Sequence, residues 1–206
     1  MNEQLEIVLP KEYDIKLPDP CTLDYYKNKE DRIIILDFEI DDSIMREIGG
    51  MILEYNRADK GIPVEERKKI VILINSPGGC LESTYATIAL MQMSKTPIIT
   101  VNMNMAYSAA GLILLAGHKR YCLPRSQMLI HSGSASGIGG NYEDIQEGTK
   151  SYKKMVEEMR EFIMSSTNID KAIMNKNKSK DWYLDVDTQV KLGCVEGILT
   201  DIDDIL

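Results

Sequence analysis

The sequence predicts an α/β fold, in which helices cover a largely parallel sheet. Short continuous apolar runs, typical of strands that are buried on both faces, recur along the chain. Longer segments stand between them, and their apolar residues recur every three or four positions, as in an amphipathic helix. Because strand and helix alternate, we expect right-handed βαβ units around one core in this chain of 206 residues.

The N-terminal segment differs from the rest of the chain. It contains two Pro-rich turns, Leu9-Pro10 and Pro18-Asp19-Pro20, and no sustained hydrophobic period. Proline removes a backbone donor and favours extended or turn conformations. We therefore expect an extended N-terminal arm over residues 1–31 and a single domain over residues 32–206.

The predicted elements of the domain follow from its apolar pattern. The predicted strands are residues 33–36, 70–74, 97–103 and 128–130. The predicted helices are residues 44–55, 81–93, 109–116 and 142–165. The charged segment 57–69 is predicted to be a solvated loop, since it contains Gly61 and Pro63. The last helix follows a Gly/Ser-rich stretch, and sequence alone leaves open whether this helix packs on the domain or projects from it.

Composition excludes several classes of function. The formal net charge of −8 argues against a nucleic-acid partner, which usually requires a basic face. The four cysteines lack CxxC spacing, so we expect free thiols in a reducing compartment and no metal site. The N-terminus shows no signal peptide, and the longest apolar stretch, Ala109–Ala116, is too short to span a bilayer. These features predict a cytoplasmic protein without a membrane partner.

Only two histidines are available for acid–base chemistry. His118 lies in the segment Ala116–Arg120, a polar turn signal between two apolar segments, which predicts an exposed turn residue without a role. His131 directly follows the predicted strand 128–130, and a parallel strand presents its last side chains at the ligand-binding edge of a sheet. Taken alone, a hydrogen-bonded core histidine is the more common interpretation, so His131 needs support from its surroundings.

Glycines follow the second predicted strand, in the segment Asn75-Ser-Pro-Gly-Gly79. Gly78 and Gly79 allow the backbone to adopt positive φ and to approach a ligand closely. Amides aimed at a developing negative oxygen form an oxyanion hole. Pro-Gly-Gly is a weak signal by itself, because most such tripeptides are turns.

Ser108 stands among small residues where a predicted strand meets an apolar helix. At a helix N-terminus, free N–H groups and the helix dipole favour nearby negative charge. This arrangement is typical of a nucleophile. A simple N-cap serine fits the same pattern about equally well.

Five segments together resemble the proteolytic subunit of the ATP-dependent Clp protease. They occur in the family's order and spacing from about Arg32 to the C-terminus: Asn75–Gly79, Ser108 with its small neighbours, Arg120–Pro124, Met128–His131 and Lys180–Leu184. No single segment is decisive, but the set of five is specific. The resemblance implies a fold of repeated ββα units, shared with the crotonases, from which a helix-and-strand handle protrudes at about residues 132–165.

The resemblance also implies the roles of individual residues. It makes Ser108 the nucleophile, His131 the general base and Asp181 the carboxylate that orients the base. The backbone amides at Gly78, Gly79 and Ala109 match the oxyanion hole. Gly139 and Gly140, in the strand of the handle, match positions that pair with an extended substrate. Such a site needs no metal and no organic cofactor.

The resemblance further implies an assembly and partners. Members of the family form rings of seven subunits that stack face to face around a chamber, and they degrade unfolded polypeptides delivered by an AAA+ unfoldase. Lys180 stands where the family has an arginine that crosses the interface between rings. Lysine cannot form the bidentate pair of arginine, so we expect weaker ring stacking.

Three alternatives remain open. A crotonase-like acyl-CoA enzyme shares the two-amide oxyanion hole but does not need Ser108, His131 and Asp181 together. A catalytically idle ring subunit or scaffold would keep the fold without the chemistry. A Clp-like phage head-maturation protease would use the same triad, and serine segments resembling Ser-Ala-Ala occur in that group.

Overall fold

Seven strands form one sheet within residues 19–135 and 138–205, the part of the chain that the computed structural model describes. They are β1 (Ile33–Leu36), β2 (Ile70–Ser76), β3 (Ile98–Tyr107), β4 (Lys119–Cys122), β5 (Gln127–Ile130), β6 (Trp182–Leu184) and β7 (Gly197–Ile198).

Strand β3 organises the sheet because its two halves have different neighbours. The order of the main parallel sheet is β1-β2-β3-β4-β7. Residues 99–102 of β3 pair with β4, whereas residues 105–107 pair in parallel with β5. The β2–β3 register shifts between these halves, and β6 adds to β5 in the antiparallel direction. The carboxyl ends of β2, β3 and β5 are therefore directed toward one region.

Seven α-helices lie in the described part of the chain: α1 (Pro20–Asp31), α2 (Gly50–Ala58), α3 (Leu81–Met93), α4 (Ala109–Leu115), α5 (Tyr142–Ser166), α6 (Lys171–Asn177) and α7 (Val186–Lys191). A π-helical turn, Met45–Gly49, leads into α2, and short 3₁₀ turns occur at Val64–Glu66 and Ile202–Asp204. None of the helices described is long and apolar enough to cross a membrane.

Most residues of the central strands β2 and β3 are buried, on both faces of the sheet. On one face, alternate residues of β2 pack into the main core with α4, whose seven residues are all buried. On the other face, Val71, Ile99 and Val101 form a smaller cluster with Leu199 and Ile205 from the C-terminal segment. Burial on both faces explains the continuous apolar runs of the sequence. The predicted α/β fold is confirmed.

The predicted boundaries hold where apolar runs are bounded by turn residues. Strand β1 and helix α3 have the predicted bounds, and β3 continues four residues beyond the predicted end at Met103.

The prediction of a polar turn extending to Arg120 is wrong, since β4 begins at Lys119 and pairs with β3. The Arg120 guanidinium satisfies its donors on the carbonyl oxygens of Ser166 and Gly193, so this polar residue is accommodated within a strand.

The extended form predicted for the whole N-terminal arm is also wrong, because residues 20–31 are helical. Asp19 caps α1 by accepting a hydrogen bond from the Thr22 amide at 3.0 Å, and Pro20 occupies the first helical position. Proline is favoured there because its missing N–H would have no intrahelical partner. The Pro-Asp-Pro segment thus starts a helix. Residues 1–18 lie outside the described part of the chain.

Helix α5 both packs on the domain and projects from it. Asn141 and Asp144 form a reciprocal capping box at its N-terminus. Val156, Met159 and Ile163 are buried against the core, whereas residues 142–147 are all exposed. The first turns of α5 therefore extend beyond the domain, as expected for a handle.

A buried ion pair connects α2 to the start of β1. The Arg32 guanidinium donates two hydrogen bonds of 2.7 Å to the carboxylate of Asp59, which is 2% exposed, and the Thr96 hydroxyl donates a third. The hydrogen bonds from Arg32 hold the pKa of the Asp59 carboxyl below its usual range. The pair thus stabilises the fold in its ionised form.

We expect Asp59→Asn to lower the free energy of unfolding by about 3 kcal/mol at pH 7, because the Arg32 charge loses its buried partner. The contribution of a carboxyl with a lowered pKa is present above about pH 4 and is lost as the pH falls further. Urea unfolding of parent and variant from pH 7 downward measures this difference. Asp37→Asn, at an exposed carboxylate, is the control, and equal losses for the two variants would contradict the assignment.

Candidate active site

The register between β3 and β5 determines the location of Ser108. Tyr107 pairs with Leu129, and the Ser108 amide donates a hydrogen bond of 2.9 Å to the Leu129 carbonyl oxygen. Ser108 is the first residue after β3, and His131 is the first after β5. Neighbouring parallel strands end at the same edge of a sheet, so both residues stand at one rim.

The register between β5 and β6 brings His131 and Asp181 together. Ile130 pairs with Trp182 in the antiparallel direction. His131, the residue after β5, therefore faces Asp181, the residue before β6. The His131 Nδ1 atom lies 3.4 Å from the Asp181 Oδ1 atom, which is long for a hydrogen bond. The side chain of Asp181 is 61% exposed and that of His131 is 28% exposed. The acid therefore stands on the solvent side of the pair.

Ser108 has a strained backbone, and its hydroxyl makes no hydrogen bond with the described residues. Its φ is 54° and its ψ is −123°, in a region that non-glycine residues rarely adopt. Ser108 occupies the N-cap position of α4, yet its side chain makes no capping hydrogen bond. The interpretation of Ser108 as a simple N-cap is therefore wrong. A serine on a strained strand-to-helix turn with a free Oγ is typical of a nucleophile.

The hydrogen bond between His131 and Ser108 is not formed. The Nε2 atom of His131 is buried and has no hydrogen-bond partner among the residues described, Ser108 Oγ included. Both residues border a cavity of about 10 Å³ together with Leu112, Met128 and Met159. That space is close to the minimum for one water molecule. Catalytic hydrogen bonds are often long or unformed without substrate.

The loop after β2 lies directly against Ser108. Gly78 has φ +92°, and a Cβ atom there would collide with the Tyr107 carbonyl oxygen and lie 2.8 Å from the Ser108 Cβ atom. Gly79 has φ +148°, and its Cβ would collide with the backbone of Ile40. Glycine is therefore required at both positions, since a side chain would push the loop away from Ser108 at Gly78 and away from Ile40 at Gly79.

Two amides of this region remain free to bind an anion. Gly79 forms a parallel bridge with Ile40, in which Gly78 O and Cys80 N bond to Ile40, so the Gly79 amide points away from that partner. Ala109 is the first residue of α4, where a helix leaves its amides without intrahelical acceptors. Neither amide has a protein acceptor within the described residues. The Gly78 amide, in contrast, donates to Ser76 Oγ at 3.2 Å.

The two glycines of the handle lie outside this cluster. Gly139 and Gly140 are exposed and belong to no strand, so the strand expected at 137–140 is not formed at 138–140, and Gly137 lies outside the described residues. None of the described strands pairs with this segment to satisfy its backbone groups. Gly140, at φ +118°, instead leads into the capping box at Asn141.

His118 is distant from the cluster. It lies near the amino end of β3, whereas Ser108 follows the carboxyl end. Its Nδ1 atom accepts a hydrogen bond of 3.1 Å from the Ile98 amide. The predicted exposure of His118 is confirmed, and its ring also satisfies a backbone donor.

Strand β6 is the part of the site that the sequence pattern does not show. It has only three residues, whose burial is mixed. Asp181 therefore came from the resemblance alone. The aromatic pair Trp182-Tyr183, followed by a buried leucine, was the available signal for a short strand.

A parallel α/β sheet that presents a free serine, a histidine–carboxylate pair and two free amides defines a candidate serine-hydrolase site. The chain belongs to the Clp protease family, whose model matches residues 21–201. It is 30% identical over 189 residues to ATP-dependent Clp protease proteolytic subunit 1 of Rhodococcus jostii (strain RHA1), covering 91% of this chain and 81% of that protein.

Other relatives agree with this assignment. The chain is 31% identical to ATP-dependent Clp protease proteolytic subunit 2 of Mycobacterium leprae (strain TN), over 85% of this chain and 80% of that protein. A mutant of ClpP1 from Listeria monocytogenes superposes with a TM-score of 0.75 at 22% identity. This superposition covers 88% of our chain and 98% of that one, and it supports the fold.

Proposed function

We propose that this chain is a serine endopeptidase that hydrolyses unfolded polypeptides. The observation that carries the proposal is the strand register. Leu129 pairs with Tyr107 on one side and Tyr183 on the other, so the residues that follow or precede these strands meet at one rim. Membership of the Clp protease family supports the same conclusion.

The mechanism follows from the three side chains. Ser108 Oγ attacks the carbonyl carbon of the scissile peptide bond while His131 Nε2 takes the hydroxyl proton. Asp181 accepts from Nδ1, holds the imidazole in the correct tautomer and stabilises the imidazolium. His131 then gives the proton to the leaving amine, which leaves an acyl ester on Ser108. Water, deprotonated by His131, attacks the ester and releases the acid product.

Gly79 and Ala109 supply the oxyanion hole in this proposal. Their amides have no protein acceptor in the described part of the chain, Ala109 follows Ser108 directly, and Gly79 follows Gly78, which lies against Ser108. One such donor contributes roughly 3–4 kcal/mol to stabilising the transition state. We assign Gly78 a different part, because its amide is already bonded and its lack of a side chain allows the loop to touch Ser108.

Catalysis requires the bond between Ser108 and His131 to form. His131 Nδ1 already lies 3.4 Å from Asp181, whereas the buried Nε2 still lacks a partner among the described residues. We propose that substrate binding or ring assembly closes this contact. Gly139 and Gly140 would then complete the site by pairing with the extended substrate.

We further propose that seven copies form a ring, that two rings stack through the projecting part of α5, and that an AAA+ unfoldase in the cytoplasm supplies substrate. The exposed Tyr142 and Ile145 on that part support a contact between copies, since large apolar side chains are rarely left uncovered together.

A catalytically idle subunit is the second candidate. The unformed bond at His131 Nε2 is the observation that favours it.

Hydrolysis of β-casein and of a short fluorogenic peptide by the purified chain distinguishes the two candidates. We expect slow cleavage of both substrates without an unfoldase, and no cleavage by Ser108→Ala. Equal and negligible turnover by parent and Ser108→Ala, in particles of unchanged mass, would favour the idle subunit.

Ring stacking should depend on salt because Lys180 offers only a point charge. Lys180 is exposed, and exposed ion pairs contribute about 0–1 kcal/mol each and are screened by salt. We expect double rings to dissociate as salt rises, with activity following the double ring, since Lys180 adjoins Asp181. Sedimentation velocity and peptide cleavage across a salt series measure this. Lys180→Arg, which can form a bidentate pair, should move the transition to higher salt. A particle of constant mass and activity would contradict the prediction.

A further inference from the structure

Ser132, the residue after His131, is held by three hydrogen bonds. Its hydroxyl accepts from the Arg160 guanidinium at 2.8 Å and donates to the Lys178 carbonyl oxygen at 3.1 Å. Its own carbonyl oxygen accepts from the Tyr152 hydroxyl at 2.8 Å. Arg160 and Tyr152 belong to α5, and Lys178 follows α6. Two segments of the chain, α5 and the end of α6, thus converge on the residue beside the general base.

These bonds connect the base to the acid. Ser132 is one residue from His131, and Lys178 is three residues from Asp181. The bond from Ser132 to Lys178 therefore fixes the distance between the two segments that present the catalytic pair. Because that pair is separated by 3.4 Å and its acid is largely exposed, its own contact is too weak to hold the geometry.

Arg160 lies beside the general base. His131, Ser132, Arg160 and Lys178 border one cavity of about 10 Å³, so the guanidinium is close to the imidazole that it would position. Arg160 is partly buried, and within the described residues it forms no ion pair with a carboxylate. A partly buried charge that is directed at a serine hydroxyl costs desolvation, which indicates that this bond has a specific use.

We propose that Arg160 is a positioning residue, which acts through Ser132 to hold His131 in line with Ser108 and Asp181. The proposal rests on the proposed peptidase function. Arg160 touches neither substrate nor the reacting atoms. Its loss should misplace the imidazole by a fraction of an ångström while the binding groove keeps its shape.

The kinetic test uses Arg160→Met, Ser132→Ala and their double variant, with Lys154→Met as the matched control. Lys154 is an exposed cation on the same helix, paired only with Glu158. We expect kcat per active site to fall about 10- to 100-fold in each single variant, with KM changed less than twofold. The double variant should be no worse than Ser132→Ala alone, because that substitution already removes the Arg160–Ser132 bond together with the bond to Lys178. Arg160→Lys, which still donates to the hydroxyl, should recover most of the rate.

A spectroscopic test does not depend on turnover. In a His118→Gln background, His131 is the only histidine of the printed sequence. Its ¹³Cε1–¹H signal should shift or broaden in Arg160→Met and in Ser132→Ala, and stay unchanged in Lys154→Met. Should the parent chain lack serine-dependent cleavage, the proposed function fails, while this signal still reports whether Arg160 positions His131.

Two results would overturn the proposal. One is a kcat and a His131 signal in Arg160→Met that match those of Lys154→Met. The other is a double variant whose loss equals the product of the two single losses, since Arg160 and Ser132 would then act independently. Ser132→Ala keeps the test decisive should Arg160→Met fail to fold, because it removes the same hydrogen bond with a smaller change.

Discussion

We expect Ser108→Ala to lower kcat for peptide cleavage by about a millionfold, to the level of residual catalysis by the site without its nucleophile. The hydroxyl is the only group removed, and the amides of Gly79 and Ala109 stay in place. Because Ser108 Oγ makes no hydrogen bond with the described residues, the free energy of unfolding should change by less than about 0.5 kcal/mol. Urea unfolding and peptide cleavage measure the two quantities separately.

Ser134→Ala is the matched control for this experiment. Ser134 is exposed and lies three residues beyond His131, so its hydroxyl should matter to neither quantity. Cleavage by clean Ser108→Ala protein at more than a trace of the parent rate would remove Ser108 from the mechanism. An equal loss of kcat in Ser134→Ala would show that removing a serine hydroxyl near the site lowers activity without removing a nucleophile.

The two histidines should respond in opposite ways to replacement by alanine. His131→Ala should lower kcat by roughly 10⁴-fold or more, because the proton of Ser108 then has no acceptor. His118→Ala should leave kcat within about twofold. It should cost about 1 kcal/mol of stability, since the Ile98 amide loses the acceptor that Nδ1 provides.

Steady-state kinetics and urea unfolding of both histidine variants test this pair of predictions. Both variants replace histidine by alanine, so the two substitutions make the same chemical change. If His118→Ala lost activity while His131→Ala kept it, the assignment of His131 as the general base would be wrong. The His131 side chain has no structural hydrogen bond to lose at Nε2, so a loss of activity there reports on chemistry.

The sequence predicts the fold well where local signals and burial agree. Strand β1 and helix α3 have the predicted bounds, because apolar runs there are bounded by Gly, Pro or charged residues. Strands β4, β6 and β7 were missed, because short strands take their structure from neighbours distant in the chain. Helix α1 was missed because Pro18-Asp19-Pro20 suggests a turn, although Asp19 and Pro20 cap a helix.

The candidate site shows the same limit of prediction from sequence, because local features can be predicted and contacts between distant segments cannot. Ser108 and His131 could be predicted from strand ends, which are local features. Asp181 could not, because its place beside His131 depends on the antiparallel register of β6 with β5. The unformed bond at His131 Nε2 depends on side-chain packing around Leu112 and Met159, which no sequence pattern shows.

The most direct test of the central claim is the site at which a fluorophosphonate probe reacts with the assembled protein. Only a serine that is activated by a base and faced by an oxyanion hole attacks this reagent readily. We predict one adduct per chain, located on Ser108 by peptide mass spectrometry and lost in both Ser108→Ala and His131→Ala. Peptide cleavage should fall in proportion to labelling. An unlabelled parent protein, or an adduct on any other residue with cleavage unchanged, would contradict the account.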